Sequence, residues 1–129
     1  MDKPWDLRVR TMQFAVATHR FCRTIPKDPE AWDIVRQLRR AAASVAANYR
    51  ALCRSHSDSA FVAKASTLIE EADESAFWFE FLVEVELVKD VSVTALRREA
   101  NELVAIFVAS KKTAMERCER ERQRQRAER

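Results

Sequence analysis

Apolar residues recur along this chain at helical intervals. Leu7, Thr11, Phe14, Thr18, Phe21 and Ile25 follow a 4-3-4-3-4 spacing, the inner face of a first helix over about residues 6–25. Val35, Leu38, Ala42, Val45, Tyr49 and Leu52 form a second stripe, ending near Arg54. The "IPKDPE" between them offers Asp28 as an N-cap and Pro29 at the first helical position, where the missing N–H costs nothing. A third stripe, Phe61, Ala65, Leu68, Ala72, Ala76, Phe79 and Val83, predicts a helix from about Ser59 to Val88, capped by Ser57 or Asp58. "KDVS" then breaks the pattern, with Ser92 as the expected cap of a fourth helix carrying Leu96, Ala100, Leu103, Phe107, Ser110 and Ala114. Short polar connections make sequential helices antiparallel neighbours. The expected fold is therefore all-α: an antiparallel up-down-up-down four-helix bundle over residues 1–115, roughly 30–45 Å long. Residues 116–129, "ERCERERQRQRAER", lack an apolar stripe and read as a charged tail. It is either a helical extension or disordered, and its Glu, Arg and Gln favour the helix.

Composition narrows the picture. Among 129 residues there is no Gly and only three Pro, too little turn chemistry for an all-β chain. Hydrophobic content of 47% argues against disorder over most of the length. The most apolar run, Phe77 to Val88, is cut by Glu80, Glu84 and Glu86, so no membrane span is expected. Asp2 and Asp6 lie among basic residues, and no signal peptide is read there. Cys22, Cys53 and Cys118 lack metal-ligand spacing; they are expected as reduced thiols of a cytoplasmic protein, Cys22 and Cys53 as small core residues.

Two helices carry a second patterned face. On the second helix, Trp32, Arg36, Arg40, Ala43, Ala47, Arg50 and Arg54 lie roughly 145° from the core stripe. Small residues at its waist would let another helix approach closely. On the third helix, Thr67, Glu71, Glu74, Trp78, Phe81 and Val85 lie opposite the core stripe, and Trp78, Phe81 and Val85 form an outer apolar patch in need of cover. One bundle has one interior, so self-association is expected. Residues 1–54 hold eleven Lys and Arg against five Asp and Glu, a net of +6, and residues 55–115 hold six against eleven, a net of −5. These charges either neutralise each other within one bundle or meet across subunits. In the second case a heterologous contact closes a ring. The expected subunit interface is Ala43, Ala47, Arg39, Arg50, Glu71, Glu74, Trp78, Phe81 and Val85, with Arg39 and Arg50 the arginines expected to pair with Glu71 or Glu74.

The stretch "QLRRAAASVAANYRALCRSHSDSAFVAKASTLIEEADESAFWFEFLVEVELV" resembles the core signature of the small four-helix-bundle proteins encoded in intervening sequences of bacterial large-subunit ribosomal RNA genes. "EANELVAIFVASKKTA" is similar to that family's last helix. The chain departs from it at Tyr49-Arg50-Ala51, where many members have Ala-Glu-Gly, and in its charged tail. The resemblance implies an antiparallel bundle assembled as a homopentamer. A distant relative is the accessory protein of diversity-generating retroelements, which implies RNA or DNA, and a protein such as a reverse transcriptase, as partners beside the chain itself.

No catalytic, cofactor or metal constellation is read from the sequence, and an enzyme is not expected. A di-iron bundle needs inward Glu-x-x-His pairs, and "EEADE" has no histidine near it. His19 and His56 are isolated, Ser44 lacks a base, and no Gly-rich loop can hold a phosphate. Two functions remain. One is a nucleic-acid-associated adaptor, suited by a pI near 9.0 and a preference for Arg over Lys. Its candidate contacts are Arg36, Arg40, Arg54, Arg117, Arg120, Arg122, Arg124 and Arg126. The other is a protein-interaction scaffold whose arginines are consumed in subunit ion pairs.

Overall fold

The computed structural model describes residues 4–129. It contains four helices around one shared core: α1 (Pro4–Cys22), α2 (Pro29–Leu52), α3 (Asp58–Glu84) and α4 (Asp90–Ala127). The inner stripes read from the sequence build that core. Leu38, Val45, Leu68, Phe79, Leu103 and Phe107 are removed from solvent, and Leu82 rather than Val83 continues the α3 stripe inward, Val83 being only half-buried. Phe79 sits where the helices converge, met edge-on by Phe14 at 6.4 Å and Phe21 at 5.9 Å between ring centroids. Tyr49 of α2 stacks on Phe107 of α4 at 6.0 Å. Each such aromatic pair contributes on the order of 1 kcal/mol beyond its burial. Three polar side chains inside the core are satisfied by their own helix. Thr11, Thr18 and Ser75 donate to the carbonyls of Arg8, Phe14 and Glu71, so none costs the penalty of an unpaired buried hydroxyl.

Helix ends follow local chemistry. The Asp28 carboxylate accepts the Glu30 N–H at 2.8 Å, with Pro29 opening α2. Ser57, rather than Asp58, caps α3 by accepting the Ala60 N–H. Ser92 is not the cap of α4: the helix starts at Asp90 behind Lys89, which makes no side-chain cap bond. Asp90 places a negative charge in the first turn instead, where the helix dipole favours it. The third helix stops at Glu84, four residues earlier than its apolar pattern suggests. There Glu86 turns left-handed (φ 63°), and the N–H groups of Leu87 and Glu86 close back on the carbonyls of Leu82 and Val83. This is a Schellman closure without its usual glycine.

Sequential helices pack along their lengths, while α1 touches α4 only lightly. That light seam is pinned by charge. Arg10 donates two 2.7 Å bonds to Glu99 and a third, at 2.6 Å, to Glu102. Late α2 lies beside early α3, where Lys64 donates to Asn48. The far part of α4 lies beside the start of α3, where Arg117 meets Asp58 at 3.2 Å. Ala114 is the last buried residue of α4, and the helix continues to Ala127 with only Cys118 partly shielded. Cys53 is exposed rather than a core residue, because it follows the last turn of α2. Cys22 is buried, and burial pushes its thiol pKa up against the opposing pull of the Arg39 guanidinium.

Candidate functional site

Two surfaces carry the unusual chemistry of the molecule. The first lies between α1 and α2. Met12 and Val16 of α1, 47% and 38% exposed, stand beside Ala43 and Ala47 of α2 along an open groove of about 540 Å³. Arg20 and Arg23 line its α1 side and Arg50 its α2 side. Among the described residues none of these three arginines has an acidic partner within ion-pair distance. The groove exists because the methyl groups of Ala43 and Ala47 are too small to fill the space over α2. No carboxylate lines it, so its rim stays positive.

The second surface is the outer face of α3. Phe77 is 49% exposed and packs against Trp78 at 4.9 Å and Phe81 at 5.7 Å. Glu70, Asp73, Glu80 and Glu84 lie exposed on the same face, and no cation of the chain pairs with them among the described residues. Spacing 3-4-3-4 puts Glu70, Asp73, Phe77, Glu80 and Glu84 on one line about 21 Å long at the helical rise.

The structure redistributes several residues singled out from the sequence. Trp78, Phe81 and Val85 are not the outermost positions of α3; they are half-buried on the shoulder that packs against the core, and the Trp78 indole N–H reaches Glu74. Phe77, one residue away, is the exposed ring. Glu71 and Glu74 are met within the same chain by Arg40, not by Arg39 or Arg50. The hydrogen bonds that Arg40 donates to Glu74 and then to Glu71 stabilise the charged guanidinium and raise the Arg40 pKa. Arg40 is thus engaged, not a free contact for nucleic acid. Arg39 turns toward Cys22 instead, its Nε buried without a bond. A rotation of about 100° per residue puts Arg39 and Arg40 on different faces of α2. Ala43, Ala47 and Arg54 are exposed as read, and Arg36 is exposed with Asp33 as its partner.

Along the tail, Arg117 pairs with Asp58, Arg122 with Glu119 and Arg124 with Glu121; Arg120 and Arg126 have no acidic partner among the described residues. The sequence reading missed the α1 wall of the groove. Its signal was present: Val9, Met12 and Val16 recur at helical spacing off the core stripe, and all three are exposed. Among the described residues no cluster of His, Cys, Asp or Glu could hold a metal ion, and no helix is long and apolar enough to cross a membrane.

Comparison with known proteins places this arrangement. The model of the 23S rRNA-intervening sequence protein family matches residues 5–109. A solved structure from Bacteroides thetaiotaomicron, described as a protein of unknown function from the S23 ribosomal protein family, superposes with a TM-score of 0.73. It is 20% identical, and the match covers 82% of this chain and 98% of that one, a likeness of fold. No curated protein matches. The chain belongs to the 23S rRNA-intervening sequence protein family.

Proposed function

We propose that this member of the 23S rRNA-intervening sequence protein family is a non-enzymatic, cytoplasmic, self-assembling adaptor that holds nucleic acid through the arms of its last helices. In this reading the four helices run up-down-up-down, as the neighbours Asn48–Lys64 and Arg117–Asp58 support. Copies close into a ring. The count of five comes from the family resemblance. One observation carries the adaptor function. Beyond Ala114, its last buried residue, α4 continues as an uninterrupted helix to Ala127, presenting Arg120, Arg122, Arg124 and Arg126 to solvent. A ring repeats that arm on every subunit, so weak phosphate contacts add. Such binding is electrostatic and indifferent to base sequence, since the sequence carries no recognition-helix or stacking-platform motif.

The rival reading, a protein scaffold that binds no nucleic acid, draws on the pairing of Arg122 and Arg124 with glutamates of their own helix. Fluorescence anisotropy with labelled duplex RNA and DNA over a salt series separates the two. The adaptor binds in low salt and loses affinity steeply toward physiological salt. Truncation after Met115 weakens it about tenfold or more, in line with losing several phosphate contacts. No binding in low salt leaves the scaffold. Binding unaltered by truncation moves the site to Arg36 and Arg54.

A further inference from the structure

We infer that the groove between α1 and α2 is the receptor for the outer face of α3 of a second copy of this chain. The inference rests on the self-assembly reading above and goes further by naming the two surfaces that meet. Three properties match. The first is charge: Arg20, Arg23 and Arg50 line the groove without an acidic partner among the described residues, and Glu70, Asp73, Glu80 and Glu84 lie on α3 without a basic one. The second is shape. The groove has small residues, Ala43 and Ala47, where the α3 face has its one exposed ring, Phe77. The third is polarity. Met12, Val16 and the alanines make the groove apolar beneath its basic rim, which suits an aromatic ring flanked by carboxylates.

The two surfaces belong to different helices of one chain, the groove to α1 and α2 and the ridge to α3. Their union is therefore heterologous. Each copy offers a groove to one neighbour and a ridge to the other, the geometry that closes rings. The arginines gain partners only in the assembly, where steering by opposite charge also speeds encounter.

The test uses the full chain and light scattering after size exclusion at micromolar concentration. Ala47→Trp fills the groove and leaves α3 intact. Phe77→Glu spoils the ridge and leaves the groove intact. Each variant alone is expected at the 15.0 kDa of one chain, with its helical circular dichroism retained. Mixed, they form a one-to-one pair, because the intact ridge of one fits the intact groove of the other. Variants that keep the wild-type mass, or a mixture that stays at 15.0 kDa, overturn the inference while the assembled wild type keeps the reading beneath it. A wild type that itself runs at 15.0 kDa overturns both. Should either variant lose its helicity, Arg50→Glu at an exposed position carries the test: a fall to one chain supports the docking, and an unchanged mass overturns it. Loss of nucleic-acid binding in Ala47→Trp without a change of mass assigns the groove to nucleic acid and overturns the docking.

Discussion

The first helix pair, α1 with α2, and the second, α3 with α4, fill one core by different means. Both pairs bury alanines, Ala31, Ala41, Ala42 and Ala46 on α2 and Ala65, Ala72, Ala76, Ala100 and Ala114 on α3 and α4, but the second pair supplies Phe79 and Phe107, the largest side chains wholly removed from solvent. The contrast carries to the outside. Small residues on α2 leave a basic groove, and aromatic residues on α3 leave an acidic ridge. Even the connections differ. The first pair turns through Pro26, a capping Asp28 and Pro29, residues whose backbones are restricted or locked by a side chain. The second turns through Glu86 in a left-handed conformation. The lesson is that side-chain size, set helix by helix, decides both how a bundle closes and what it offers its surroundings.

The sharpest way to break the comparison is to exchange inside for outside. Leu38 is fully buried, and Leu38→Asp strands a charge in the hydrophobic core. The cost, several kcal/mol, is a large part of the roughly 5–15 kcal/mol that holds a domain of this size. No cooperative thermal transition is expected. Phe77→Ser on the outer face of α3 makes the comparable loss of apolarity but shifts the subunit's own stability by less than about 1 kcal/mol. Thermal melts followed at the helical dichroism band compare the two at a concentration where both are monomeric. A Phe77→Ser melt as damaged as that of Leu38→Asp would make Phe77 a core residue.

How much of this could be read from sequence depends on how many helices a feature involves. The inner stripes need only one helix at a time, and Leu38, Leu68, Phe79, Leu103 and Phe107 are buried where the spacing put them. The α2 cap at Asp28 is local and was equally legible. Features that need two helices were not. Whether Arg39 or Arg40 meets Glu71 depends on the rotation of α2 against α3, which no single stripe fixes. The same holds for Trp78 and Phe81, which are half-buried because the shoulder of α3 leans on the core. The groove needed α1 and α2 together: Val9, Met12 and Val16 mark a second face on α1, but only its packing beside Ala43 and Ala47 makes that face a wall.

The seam between the pairs gives a smaller effect. Where α1 and α4 meet lightly, Arg10 bridges them through Glu99 and Glu102. Arg10→Met keeps the apolar stem and removes the fork. Both partners keep part of their solvent contact, which lowers the worth of the pair. A loss of about 1 kcal/mol is expected, seen as a lower urea midpoint with an unchanged slope. The loss shrinks in high salt, since screening already weakens what the substitution removes. A loss independent of salt would mean that Arg10 acts through its packing.

The smallest effect, opposite in sign, lies at the turn of the second pair. Glu86 holds φ at 63° in a chain without glycine, a conformation that costs a side-chain-bearing residue about 1–2 kcal/mol. Its place is fixed by the closure of Glu86 and Leu87 onto α3, which satisfies carbonyls that would otherwise end the helix unbonded. Glu86→Gly removes the steric cost and adds backbone freedom to the unfolded chain, worth roughly 0.5–1 kcal/mol the other way. The balance favours the variant by about 0.5–1 kcal/mol, a rise of about 3 °C in Tm for a chain of this size. The same residue placed at Ala105, exposed in the middle of α4, should lower stability by about 1 kcal/mol. Opposite shifts from one glycine at two sites would separate the strained turn from the ordinary helix. A Glu86→Gly variant that melts below the wild type would show that its carboxylate contributes more than its backbone costs.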